Sequence, residues 1–261
     1  MFNKQARNTL IVALVLCLVC SVLVSTVAVG LKPMQQKNKL LDRNKNILAA
    51  AGLYDAGKHS NADIVRLFEQ FSIRLVNLEQ GRFATEQELA SAGINPQTYD
   101  QRVAAKNPAL SRSMKGDDPA GIQRQATFAT VYVLERDGKV ELIVLPVHGY
   151  GLWGTLYGFL VLEGDLNTIR GLAFYDHKET PGLGAKVDTE QWKALWPGKT
   201  AYDKDGSVAI EVVKGKASSD NQIDGLSGAT LTTRGVDKLV RFWLGERGFA
   251  GFLNNLKAGE A

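Results

Sequence analysis

The stretch DGLSGATLTTRGVDKLVRFWL, residues 224–244, places a turn of small residues directly before a strongly patterned helix. After Thr230, apolar side chains recur every three or four residues, which predicts an amphipathic helix with one buried face. The predicted buried stripe consists of Val236, Leu239, Val240, Trp243 and Leu244.

The start of this helix is a predicted anion site. The first-turn N–H groups have no acceptor within a helix, and the helix dipole is positive at that end. Ser227, Gly228 and Ala229 are small, so they leave space for a phosphate beside Thr230. Two alternatives remain. In one, Ser227 or Thr230 is only a helix N-cap. In the other, GLSGA at 225–229 is a hydrolase nucleophile elbow, although the elbow needs a strand immediately before the serine.

A second glycine-rich segment is GYGLWG at residues 149–154. Glycines allow a backbone to approach a ligand closely, and the ring of Trp153 or Tyr150 is suited to lie against a planar group. The alternative is a bulged corner between two strands.

A third segment, HKETPGLG at residues 177–184, follows a predicted strand. Lys178 and Thr180 are candidates for binding a phosphate or a ring carbonyl. The alternative is a structured turn without a ligand.

Alternating residues and turn signals predict an antiparallel sheet. Asp137-Gly138 and Gly164-Asp165 each separate two apolar alternating runs, as in β-hairpins. A further strand is expected over 208–213. A sheet of this kind packed against helices predicts the α+β class. The expected hairpin strands are 130–134 with 140–147, and 156–162 with 169–175.

Residues 10–31 carry no charged side chain and are long enough, at about 1.5 Å per residue, to cross a bilayer core of about 30 Å. The run exceeds the apolar region of a cleaved signal peptide, so it predicts an uncleaved single-pass transmembrane helix. Basic residues lie on both sides of the span, and more of them follow it. Charge counting therefore leaves the orientation open.

Composition argues against several other classes of function. The only two cysteines, Cys17 and Cys20, lie inside the apolar run, so neither a disulfide framework nor a metal site is expected. The net charge is +4, but the lysines and arginines do not form a basic stripe with interleaved aromatic residues. The sequence therefore does not predict nucleic-acid binding.

The three segments together resemble a known family. DGLSGAT at 224–230 resembles the flavinylation motif D-x-x-S/T-G-A-T, whose final threonine accepts FMN from FAD as a phosphodiester through a magnesium-dependent flavin transferase. Residues 177–184 and 149–154 resemble the E-T-P-G-L-G and G-x-G-L-W-G segments of the same FMN-binding domain. With the N-terminal span, the chain is similar over nearly its full length to the C subunit of sodium-translocating NADH:quinone reductases. The G subunit of the related electron-transport complex is the alternative, and the segment 53–119 favours the quinone reductase.

This resemblance implies a covalent FMN on Thr230, with Asp224 as the motif acid needed during transfer. It implies no catalytic side chain in the chain itself, and a role as one-electron relay among the other subunits of a membrane complex. The flavin domain would lie on the periplasmic side of a bacterial inner membrane. A non-covalent FMN module and a purely structural anchor are the remaining alternatives. The other expected cofactor-binding residues are Ser227, Gly228, Ala229, Glu179, Thr180, Gly182, Leu183, Gly184, Trp153 and Lys178.

The expected organisation has four parts. These are a transmembrane anchor at 1–34, a helical stalk at 35–51, a helix and strand accessory segment at 52–125, and the FMN-binding domain at 126–261.

Overall fold

The structure is a computed structural model that describes residues 4–55 and 57–261. Residues 1–3 of the expected anchor and Ala56 of the expected accessory segment lie outside the described residues. The helices are α1 Lys4–Ala50, α2 Asn61–Phe68, α3 Glu86–Ser91, α4 Gln101–Ala104, α5 Glu190–Lys193, α6 Thr230–Leu244 and α7 Ala250–Ala258. The strands are β1 Phe71–Asn77, β2 Arg82–Phe83, β3 Ser111–Ser113, β4 Arg124–Ala126, β5 Phe128–Arg136, β6 Lys139–Tyr150, β7 Thr155–Glu163, β8 Ile169–Asp176, β9 Glu211–Val212 and β10 Gln222–Ile223.

Helix α1 is long and apolar enough to cross a membrane, with a mean hydropathy of 3.0 over its most apolar window. The hydroxyls of Ser21 and Thr26 donate to the carbonyls of Cys17 and Val22, at 2.7 and 2.8 Å. A hydrogen bond from a side chain to the carbonyl one turn earlier in the helix gives the hydroxyl an acceptor inside an apolar segment. The chain divides into two compact units, residues 1–43 and 44–261, and α1 makes up most of the first.

The second unit is built on a six-stranded antiparallel sheet with the order β2-β1-β5-β6-β7-β8. Both predicted hairpins are present, as β5–β6 and β7–β8. Asp137 and Gly138 have φ of 51° and 72°, the left-handed values that a two-residue hairpin turn requires. The predicted α+β class with an antiparallel sheet is confirmed.

The segment before residue 126 contributes to the same sheet. Strand β1 pairs with β5 from Phe71 opposite Leu134 to Asn77 opposite Phe128. The sheet therefore continues across the expected boundary between residues 125 and 126, and residues 44–261 form one compact unit.

Helix α6 packs against β6 through the predicted stripe. Each of its five residues is at most 1% exposed, so this prediction is confirmed. The Trp243 indole N–H also donates to the His148 carbonyl at 2.7 Å, and the two rings lie 4.9 Å apart. Burial lowers the pKa of His148 to about 4, so its ring is neutral at pH 7.

The expected strand over 208–213 is wrong in length. Only Glu211–Val212 forms a strand, and it pairs in parallel with Gln222–Ile223. The ladder bonds run from the N–H groups of Glu211 and Val213 to the carbonyls of Asn221 and Ile223. Before the strand, the N–H groups of residues 209 and 210 both donate to the Ala201 carbonyl instead, so a loop acceptor ends the ladder on that side.

We expect Leu239→Ala to lower the free energy of unfolding by about 2–5 kcal/mol, because Leu239 is 0% exposed and its removal leaves a cavity beneath α6. Leu231→Ala is the matched control: Leu231 lies on the same helix and is 56% exposed, so its loss should cost less than about 0.5 kcal/mol. Denaturant unfolding of the full chain in detergent measures both. Equal losses would contradict the assigned packing of α6.

Candidate functional site

The N-terminus of α6 is open on its solvent side. The helix begins at Thr230 with Ala229 as N-cap, and within the described part of the chain no side chain makes a capping hydrogen bond there. The capping alternative for Ser227 and Thr230 is therefore wrong in this structure. First-turn N–H groups have no acceptor inside a helix, so these donors and the positive end of the helix dipole lie at the exposed Thr230, the first residue of α6.

Thr233 fixes the turn that precedes the helix. Its hydroxyl accepts from the Leu226 N–H and donates to the Ala229 carbonyl, both at 3.0 Å. The Lys186 ammonium donates to the Ser227 carbonyl at 3.3 Å. The sequence analysis did not predict the roles of Thr233 and Lys186. For Thr233, the available signal was the pair of threonines at 232 and 233, just inside the helix.

The buried carboxylate of Glu179 joins all three glycine-rich segments. One oxygen, Oε1, accepts from the backbone N–H groups of Leu152 and Trp153, at 2.9 and 3.1 Å. The other, Oε2, accepts from the Thr232 hydroxyl at 2.5 Å. We call these four residues the Glu179 bridge. It connects the 149–154 segment to the first turn of α6. The sequence did not predict the role of Thr232.

Two glycines make this close approach possible. A Cβ on Gly184 would lie 2.6 Å from the Thr232 hydroxyl and would also overlap the Glu179 carboxylate. A Cβ on Gly151 would lie 2.5 Å from Glu179 Oε1. Glycine at these two positions is therefore required by the space around the buried carboxylate.

Large apolar side chains remain exposed on the segments around Thr230. Trp153 is 62% exposed, Leu231 56% and Leu183 45%. Leu183 also lies beside the 227–229 turn, since a Cβ on Gly228 would be 3.3 Å from its Cδ2. Exposed apolar side chains of this size on neighbouring segments suit a binding surface.

The remaining predicted residues divide into two groups. Asp224 shapes the loop before the motif: its carboxylate accepts from the Ala217 N–H at 2.7 Å, and its carbonyl accepts from the Trp192 indole at 3.0 Å. Lys178, Thr180 and Gly182 are exposed at the surface of the 177–184 segment. The backbone of this segment is folded by the Thr180 carbonyl, which accepts from the N–H groups of residues 183 and 185.

These residues fit a phosphate joined to a planar ring. Open N–H groups, small side chains and the Thr230 hydroxyl suit a phosphate, and Trp153, Leu183 and Leu231 offer apolar surface to a ring system. The match to a family model agrees with this chemistry: residues 151–245 match the FMN-binding domain.

Full-length relatives carry the comparison further. The chain is 50% identical over 99% of its length to the C subunit of the Na(+)-translocating NADH-quinone reductase of Pseudomonas aeruginosa, and it covers 99% of that protein. It is 42% identical to the protein of the same name from Vibrio vulnificus, with 98% of each chain covered. The chain belongs to the family of C subunits of Na(+)-translocating NADH-quinone reductases.

Two solved structures share the fold of this family member. The crystal structure of Shewanella oneidensis NqrC superposes with a TM-score of 0.75 at 35% identity, covering 85% of this chain and 99% of that one. The crystal structure of the corresponding C subunit from Parabacteroides distasonis gives 0.65 at 26% identity, with 85% and 96% covered.

We expect Gly184→Ala to lower the free energy of unfolding by about 1–3 kcal/mol, because the added methyl group must displace the Glu179 bridge. Gly251→Ala in α7 is the matched control. The nearest contact of a Cβ there, outside the helix itself, lies at 3.9 Å, so the change should be neutral or stabilising by up to about 1 kcal/mol. Thermal or denaturant unfolding compares the two, and a stabilised Gly184→Ala chain would contradict the close packing.

Proposed function

We propose that this chain is a membrane-anchored electron-transfer protein that carries FMN covalently, through a phosphodiester, on Thr230. Its partners are the other subunits of a complex that transfers electrons from NADH to quinone and translocates sodium. The observation that carries the proposal is an exposed Thr230 at a helix N-terminus without a side-chain cap, next to the glycine-rich segments that Glu179 joins.

Attachment requires a flavin transferase and FAD. The Thr230 hydroxyl oxygen forms a bond to the phosphorus of the FMN half, the pyrophosphate P–O bond breaks, and AMP leaves while the hydroxyl proton is released. The chain's own part is to present the hydroxyl. Thr230 is exposed, and the turn before it is fixed by Thr233, so an enzyme can reach the oxygen in a defined position.

Separate groups on the chain hold the two ends of the cofactor. The open N–H groups at the start of α6 are the donors for the phosphate, and Ser227, Gly228 and Ala229 leave room for it. Trp153, Leu183 and Leu231 supply the apolar surface for the ring. When bound, FMN supplies the electron-transfer chemistry, and the surrounding charges and hydrogen bonds tune it.

A covalent bond suits such an open site. The apolar side chains expected to contact the ring are about half exposed or more, so they bury little area and cannot by themselves hold FMN tightly. An ester prevents loss of the cofactor while leaving the ring accessible to partner subunits.

The same proposal extends to the membrane. Residues 1–34 anchor the chain as a single span in the bacterial inner membrane, residues 35–51 form a helical stalk, and the flavin-bearing domain at 126–261 lies in the periplasm together with the accessory segment at 52–125. The apolar character of α1 supports the anchor.

We expect Thr230→Ala to abolish covalent flavin while leaving the domain folded, because Thr230 is exposed and its hydroxyl is the acceptor. Thr98→Ala, which removes another exposed threonine hydroxyl, is the matched control and should load normally. Each chain is co-expressed with the transferase and examined by peptide mass spectrometry and by in-gel flavin fluorescence after denaturation. An FMN-sized addition on another residue, or flavin lost on denaturation of the unaltered chain, would contradict the covalent assignment.

We also expect the flavin-bearing domain to lie outside the cytoplasm. A phosphatase reporter joined after Leu41 should be active because it is exported, and a fluorescent protein at the same position should be dark. The fluorescent protein placed before residue 1 is the control and should be bright. The reverse pattern would put Thr230 in the cytoplasm and refute the proposed topology.

A further inference from the structure

Glu179 is a buried acid whose oxygens are both used as acceptors. It is 5% exposed, and its three donors come from two segments that are far apart in sequence, the 149–154 loop and α6. A buried carboxylate is costly unless hydrogen bonds compensate it. This environment supplies two backbone N–H groups and one hydroxyl, so the loop and the helix are tied to the same charged group.

The carboxylate contacts the part of the 149–154 segment that follows strand β6. Trp153 is 62% exposed, so core packing does not fix its side chain. The backbone of the loop is closed on itself by the Gly151 N–H, which donates to the Gly154 carbonyl at 2.8 Å. The N–H groups of Leu152 and Trp153 instead point outward from that turn to Glu179.

We propose that the Glu179 bridge positions the Trp153 loop against the flavin-bearing helix, and that its carboxylate lowers the reduction potential of the FMN. Thr232 acts here as a positioning residue, because it holds the carboxylate from a point two residues beyond Thr230. This inference rests on the proposed function, since it concerns a flavin attached to Thr230.

The sign of the effect follows from electrostatics. A negative charge beside a redox group disfavours the gain of an electron, and this interaction is stronger where water is excluded. Lys178 on the same segment is exposed, so solvent screens its opposite charge. Between these two neighbouring residues, the buried carboxylate should therefore outweigh the exposed ammonium group of Lys178.

The first test needs no flavin. In the full-length chain made without the transferase, Thr232→Val should speed amide hydrogen exchange of Leu152 and Trp153 about tenfold, as expected for loss of about one hydrogen bond. Thr232→Ser keeps the hydroxyl and should restore slow exchange. Thr168→Val, which removes a hydroxyl from the β7–β8 turn, is the control and should leave these two amides unchanged. Unchanged exchange in Thr232→Val would overturn the positioning role.

The second test uses the flavin-loaded chain. Glu179→Gln is nearly isosteric and removes the charge, so the midpoint potential should move to a more positive value, while Lys178→Gln should shift it less. An unchanged or more negative potential in Glu179→Gln would overturn the tuning role.

A Glu179→Gln chain that takes up no flavin, but in which the Leu152 and Trp153 amides exchange at the normal rate, would also overturn the tuning role. The carboxylate would then be needed for attachment of the flavin. If the unaltered chain itself carries no flavin, the proposed function fails, while the exchange experiment still tests the bridge.

Discussion

The burial of one face of α6 against the sheet is the constraint on which the rest of the site depends. Val236, Leu239, Val240 and Trp243 are at most 1% exposed, and the Trp243 indole is bonded to β6. Burying side chains of this size contributes about 1.5–3 kcal/mol each. A helix held in this way cannot shift along its axis without losing that burial, so the position of its N-terminus is fixed by core packing.

A polar bridge then connects this fixed helix to the two glycine-rich segments beside it. Glu179 binds the N–H groups of Leu152 and Trp153 on one side and the Thr232 hydroxyl on the other. Burial strengthens these bonds, since an unpaired donor or carboxylate would be costly at this depth. Apolar packing thus fixes the position of the helix, and a buried carboxylate adds hydrogen bonds to the segments around it.

The backbone of the resulting site is held by hydrogen bonds, and its surface is open. Thr230, Trp153 and Leu231 are exposed, whereas Glu179 and Thr232 beneath them are buried. An electron-transfer cofactor needs access to a partner, and a tightly enclosing pocket would limit that access. The covalent bond that we propose at Thr230 resolves the conflict, because retention then no longer depends on the area buried.

The sequence by itself determined the α+β class, both hairpins, the α6 stripe, the apolar span and the family, because each is encoded in local periodicity, turn residues or contiguous motifs. Only the tertiary structure decided that β1 joins the main sheet and that the expected strand at 208–213 is short. It alone also decided that Thr232 meets Glu179. These features depend on pairing between distant segments, and a residue such as Thr232 has an ordinary helical context until the fold brings a buried carboxylate to its hydroxyl.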